Sequence, residues 1–472
     1  MTPPGATPLD DAPELCRLDA TTLARRYAVR ALSPVEVTAA ALARAAALQA
    51  RFNPFSHLDP EGALAAARAS EARWHAGAPR GPLDGVPTTI KDILWVRGWT
   101  IRYGTRAVPG VQATEDAPAV AQLRAAGAVL LGLTTTPEFG WKAVTDSALT
   151  GITRNPWDAA RTPGGSSGGA AVAAACGAGV LHLGTDGGGS IRIPAGFCGV
   201  VGHKPTFGRV PAYPPSPFGT VAHLGPIARS VADAALMLAA MSGRDRRDWY
   251  QSPWPLPPVT PLPPCALRGL RVAVWATPPH GTVAADVRDR FAAVCDRLAD
   301  AGAALTPVTL PDSAQLWALF GAHWHSGAAA RVRTVPEAAR ALIEPGLRAV
   351  AELGARLSAT DLIAAQTQRA AFGMAFERLL ADHDVLISPA VALTAFAAGA
   401  EVPPGSGLGR WTEWAGFSYP INLAQAPAAV VPCGFGADGM PVGLQVAGRR
   451  GDDAAVLAAA EAMQTAMGTT DR

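Results

Sequence analysis

Charge is scarce in this 472-residue chain: Asp, Glu, Lys and Arg make up 17%, against 49% apolar residues. That balance is too apolar for global disorder and supplies a large buried core. The net charge is +2, and the basic residues form no dense runs, so the electrostatic footprint of a nucleic-acid binder is missing. Lysine is scarcer still. Lys91, Lys142 and Lys204 are the only three, and arginine supplies the remaining 37 of the 40 basic residues. The six cysteines lie apart with no CxxC pair, which argues against a disulfide scaffold and for reduced, buried thiols. No apolar run approaches the ~18 residues of a membrane span. Residues 1–15 have neither the basic nor the apolar region of a signal peptide. A soluble, cytoplasmic protein is expected, with no nucleic-acid or membrane partner.

The Pro, Gly and Asp content of residues 1–15 predicts a mobile tail, leaving residues 16–468 as one domain. Helix signals follow: Ser33 as N-cap with Pro34 behind it, then Asp59 with Pro60. From "GVPTTIKDI" (85–93) onward, short β-rich runs alternate with helical ones, the signature of an α/β sheet domain. A Pro-rich connection crosses roughly 244–270. A long helical region, about 284–381, is expected to be embedded before the last strands, "DVLISPA" and "APAAVVPCGF…GMPVGLQVAG".

Two glycine-rich stretches carry the chemistry. "RTPGGSSGGA" (161–170) holds Ser166 and Ser167; "GTDGGGSIRIPAGFCG" (184–199) holds Ser190, 24 positions after Ser166. Between them a small-residue helix travels about 15 Å out and a strand about 20 Å back. Both serines therefore return to one end of the sheet, where open α/β sheets place their sites. Gly187, Gly188, Gly189 and Ser190 offer consecutive backbone N–H groups with no side chain in the way, a fit for a developing oxyanion. Ser190 is the candidate nucleophile, and it needs a base. His182 sits mid-strand with no Asp placed to orient it. Lys91, ending "PTTIK", is the other candidate, since a desolvated lysine can lose its proton whereas arginine cannot. The bland alternative pairs Lys91 with Asp92.

Other readings fare worse. GGSSGG lacks the GK[ST] ending of a P-loop. Cys176 and Cys198 flank Ser190 in small or apolar surroundings, which suits packing better than a thiol nucleophile. His323 and His325 have no third ligand at useful spacing. No metal and no cofactor is expected.

Together these residues resemble the amidase signature family. The resemblance runs from "SPVEVTAAALARAAAL" through "GVPTTIKDI", "TRNPWDAARTPGGSSGG" and "GTDGGGSIRIPAGFCGVVGHKPTFGRVP" to "GPIARSVADAALML" and "MPVGLQVAG". It implies a single large α/β domain with a mixed β-sheet core flanked by helices on both faces. It also implies a Ser–cis-Ser–Lys triad, in which Ser190 attacks the carbonyl, Ser166 relays the proton and Lys91 is the terminal base. The Gly165–Ser166 bond would be cis. Backbone N–H groups of Gly187, Gly188, Gly189 and Ser190 would form the oxyanion hole, and Ser167, Asp186 and Arg192 would brace the loops. The chain departs from the family at Gly187, where Thr or Ile is usual, and at Leu133 and Thr135, where Lys and Asn are common.

The expected reaction is hydrolysis of amides and aryl carbamates through an acyl-enzyme. The pattern is also similar to metagenomic urethanases of the same family. Its rivals are the glutaminase subunit of a tRNA-dependent amidotransferase, which would need protein partners, and a silent scaffold. Phe139, Trp141, Tyr213, Phe218, Trp414 and Phe417 are the expected pocket. Few charges stand among them, which suits a small, neutral, aromatic amide or carbamate. The bare Gly187 is expected to widen the site.

Overall fold

Alternation of apolar side chains along the strands sets the layering. The computed structural model describes residues 7–251 and 254–468. Among them, eleven strands form one sheet: β1 (Phe55–Leu58), β2 (Pro87–Lys91), β3 (Val129–Thr134), β4 (Leu181–Asp186), β5 (Val201–Lys204), β6 (His223–Ala228), β7 (Arg271–Val274), β8 (Ala304–Pro307), β9 (Val385–Pro389), β10 (Ala428–Phe435) and β11 (Pro441–Ala447). Their spatial order is β1-β3-β2-β4-β6-β5-β10-β11-β9-β7-β8. β2 runs parallel to both β3 and β4, and β7 to both β8 and β9. The other neighbours are antiparallel, so the sheet is mixed.

Successive strand residues point to opposite faces. Leu386, Ala428 and Val430 join one apolar layer, with the helices Gly168–Ala175 and Arg192–Cys198. Ile387, Ala429 and Val431 join the other, with the helices Val231–Met241 and Asp453–Met467. Helices thus cover both faces of a single α/β domain. Local signals fix where they start: Ser33 and Glu36 close a capping box on the helix Pro34–Phe52, and Asp59 caps Pro60–His75.

Two expectations change here. Residues 1–6 of the anticipated tail lie outside the described residues, but residues 7–15 pack onto the domain. Ala12 is buried, and the Arg44 guanidinium ties down the Pro8 carbonyl and the Asp11 carboxylate. A buried cation thus anchors a segment whose composition reads as loose. The region 284–381 is not one embedded helical block either. Its first helix, Ala285–Asp300, buries Val287, Phe291, Val294 and Leu298 against the sheet and leads into β8. The helical insert proper comprises Leu316–Arg333, Pro345–Ala355 and Ala359–Leu379.

Candidate active site

β2 ends on Lys91, beside the end of its parallel neighbour β4. The side chain is wholly buried. Its Nζ lies 2.6 Å from Ser166 Oγ, 2.9 Å from Thr185 Oγ1 and 3.0 Å from Ser167 Oγ. Asp92 is not its partner. That carboxylate accepts the Arg102 N–H at 2.8 Å, and burial raises it to about 6. Burial likewise holds the Lys91 ammonium well below the ordinary lysine range, opposed by the negative charge of Asp186.

The loop before the helix Gly168–Ala175 delivers both serines. Its Gly165–Ser166 peptide is cis. Thr145 Oγ1 donates to the Gly164 carbonyl at 2.8 Å and accepts the Gly168 N–H at 3.1 Å, fixing the loop from beneath. The Ser167 hydroxyl donates to the Thr185 carbonyl at 3.1 Å. Its N–H donates to the Ser190 carbonyl, also at 3.1 Å, which ties the two glycine-rich stretches together. Ser167 therefore braces both.

Asp186 and Arg192 organise the second stretch from full burial. Asp186 accepts the N–H groups of Gly189 (2.8 Å) and Ile191 (3.1 Å), and both Arg192 Nε and Nη2 at 3.0 Å. Burial alone would raise the Asp186 carboxyl; the Arg192 guanidinium, with Lys204 and the Asn422 amide, outweighs it and holds the group far below the usual carboxylate range. Arg192 reaches on to the Ser418 carbonyl (3.0 Å) and Gln445 Oε1 (2.7 Å). Of the four N–H groups expected at the oxyanion hole, that of Gly189 is consequently committed to Asp186. Those of Gly187, Gly188 and Ser190 find no acceptor among the described residues.

Ser166 and Ser190 open into one cavity, which Phe139, Tyr213 and Phe218 line with Trp324, Tyr103 and Pro214–Pro217. Trp141, Trp414 and Phe417 do not line it. The Trp141 indole is fully buried and donates to Glu344 at 2.8 Å. Trp414 stacks on Phe197 and Phe417 packs edge-on to Trp275. Nor is the space beside Gly187 open: a Cβ there would meet Trp324 Cζ3 at 2.9 Å. Trp324, stacked 4.0 Å from Phe218, fills the room that the missing side chain leaves.

Sequence reasoning missed Thr185, Trp324 and Asn422, whose amide donates to Asp186 Oδ1 at 2.9 Å. Thr185 stands inside a quoted motif, so its place beside Gly184 was the available signal. Asn422 had none.

The rival groups sit elsewhere. His182 Nδ1 shares a 2.8 Å hydrogen bond with Thr89 Oγ1, and burial lowers the ring to about 3. Burial pushes the Cys176 thiol up to about 12 and holds that of Cys198 well above the usual thiol range. His323 and His325 belong to no group of three metal-ligating side chains among the described residues.

A buried lysine among hydroxyls, beside a glycine-rich loop with free N–H groups, thus stands at the strand ends of an α/β sheet. Comparison with known proteins makes this specific. The amidase family matches residues 36–457, and the chain belongs to that family. It is 36% identical over 477 residues to a glutamyl-tRNA(Gln) amidotransferase subunit of Chloroflexus aurantiacus, covering 96% of this chain and 97% of that one. It is 37% identical over 450 residues to an acylamidase of Rhodococcus erythropolis, covering 93% of each. The crystal structure of a bacterial aryl acylamidase of the amidase signature family superposes with a TM-score of 0.87, at 28% identity, over 95% of this chain and 96% of that one. Enzymes of this family hydrolyse amide carbon–nitrogen bonds. Separately, no helix among the described residues is long and apolar enough to cross a membrane.

Proposed function

We propose that this chain hydrolyses aryl amides and aryl carbamates with Ser190 as nucleophile, Ser166 as proton relay and Lys91 as base. The observation that carries the reading is the surroundings of Lys91 Nζ. The Ser167 hydrogen is spent on the Thr185 carbonyl, so Ser167 Oγ can only accept from Lys91. A neutral amine has two N–H donors; one goes to Ser167 and the other to Thr185 Oγ1, at 3.0 and 2.9 Å. The lone pair is left for the Ser166 hydroxyl at 2.6 Å. Ser166 then passes on the proton that Ser190 Oγ gives up as it attacks.

The N–H groups of Gly187, Gly188 and Ser190 receive the developing oxyanion, while Asp186 holds Gly189 and so keeps the loop's shape. The proton returns through Ser166 to the leaving amine, and water releases the acid from Ser190. On a carbamate the same two steps yield carbon dioxide, an alcohol and an amine.

The substrate class rests on the cavity. Its volume is about 130 Å³, close to the ~150 Å³ of an apolar cavity that holds benzene. Seven aromatic side chains and three prolines are among the residues that line it. The likeness to the Chloroflexus amidotransferase protein favours a second reading, a glutaminase working with partner proteins. Kinetics of the purified chain on acetanilide, a toluene-derived carbamate and glutamine separate the two. Higher kcat/KM on the aryl substrates is expected; glutamine above both would replace this reading with the amidotransferase one.

A further inference from the structure

Arg331 stands near the end of the helix Leu316–Arg333 and lines the same cavity as Ser166 and Ser190. Its guanidinium lies over Phe139, 5.0 Å from the ring centroid, and over Tyr103 at 5.8 Å. Among the described residues no carboxylate pairs with it, and its buried Nε has no hydrogen-bond partner. The other charged group of the wall, Asp248, is engaged: its two oxygens accept the N–H groups of Tyr250 and Ala212, each at 2.8 Å.

Two aromatic faces offset only part of the cost of withdrawing a cation from water. The donors of Arg331 are therefore unspent. The turn that holds the guanidinium also adjoins the proposed chemistry. Phe139 takes a left-handed φ of +52°, an outlier for a bulky side chain, and donates its N–H to the Tyr103 carbonyl at 2.7 Å. Gly140 follows at φ +70°, and a Cβ on it would lie 3.3 Å from Ser166 Oγ. One strained turn thus touches the cation on one side and the relay serine on the other.

We propose that Arg331 is an anion subsite, which receives a carboxylate carried by the amide or carbamate substrate away from the scissile bond. This rests on the hydrolytic reading above and narrows it: the preferred substrate is an aryl compound with an acidic group on its acyl or its amine portion. Two unpaired N–H donors in a fork match a carboxylate, and the rings of Phe139 and Tyr103 hold the guanidinium at the wall.

Matched substrate pairs test it. N-phenylsuccinamate against butyranilide places the carboxylate on the acyl side; 4-acetamidobenzoate against acetanilide places it on the amine side. In at least one pair, Arg331→Gln should lower kcat/KM for the anionic member about tenfold more than for its neutral partner, about 1.4 kcal/mol, chiefly through KM. Arg331→Lys should recover part of the difference, and added salt should shrink the preference. Equal losses within both pairs would overturn the subsite. Binding of the two anionic anilides to Ser190→Ala protein, with and without Arg331→Gln, separates this proposal from the hydrolytic one. Binding weakened by Arg331→Gln upholds the subsite even if the native chain turns over no amide. Turnover of neutral anilides without charge discrimination upholds hydrolysis and overturns the subsite.

Discussion

Replacing Thr185 with valine removes one hydroxyl and almost nothing else. In the native site Thr185 Oγ1 stands 2.9 Å from Lys91 Nζ, and Lys91 is wholly buried. Without it, one Lys91 N–H has no acceptor, and the amine is free to turn its lone pair away from Ser166. An unsatisfied buried donor costs about 1–3 kcal/mol, so kcat/KM on an anilide should fall by roughly 5- to 150-fold. Thr185→Ser, which restores the hydroxyl, should recover most of the rate.

The pH profile gives an independent reading. On the proposed mechanism activity requires neutral Lys91, so the rate should fall as pH drops through its lowered pKa. The lost oxygen stabilised the ammonium form, so Thr185→Val should move that acid limb to lower pH. A loss under about twofold, or a limb that does not move, would refute the assignment of the two N–H donors.

Three further outcomes follow from the packing. Lys91→Met should abolish turnover yet stabilise the fold at neutral pH. The folded-state pKa is depressed, so the unfolded chain binds the extra proton and stability rises with pH; the gain from Met should therefore fade as pH nears the ordinary lysine value of ~10.4, and thermal melts at several pH values read it. Gly187→Ala sets a Cβ 2.9 Å from Trp324 Cζ3, so it should cut activity, and Trp324→Phe in the same chain should restore part of it. Trp141→Phe loses the hydrogen bond to Glu344 and should lower the Tm by a few degrees, while leaving the order of preference among aryl substrates unchanged.

How far the sequence could be read depended on whether a residue's role is local. Lys91, Ser166 and Ser190 sit in short glycine- or β-rich stretches, and a lysine in a chain of arginines announces itself. The same arithmetic hid Arg331: among 37 arginines nothing in its neighbours marks an unpaired one. Exposure of aromatics was illegible for a related reason. Trp414 and Phe417 share polar and glycine neighbours with true lining residues, and the rings they pack against, Phe197 and Trp275, lie far away in the sequence. β8 was missed because "ALTP" is a four-residue edge strand ending in proline, a pattern that reads as loop. Gly187 looked like added space because the sequence cannot show Trp324 arriving from 137 positions away.

The proposed mechanism routes acyl transfer through Ser190 with Lys91 as its base. Rapid acid quench of the enzyme turning over an activated aryl ester or anilide, followed by peptide mass mapping, tests it most directly. An acyl adduct is expected on the peptide carrying Ser190, absent from Ser190→Ala and strongly reduced in Lys91→Arg, with iodoacetamide treatment making no difference. An adduct on Cys176 or Cys198, or undiminished turnover by Ser190→Ala, would contradict it.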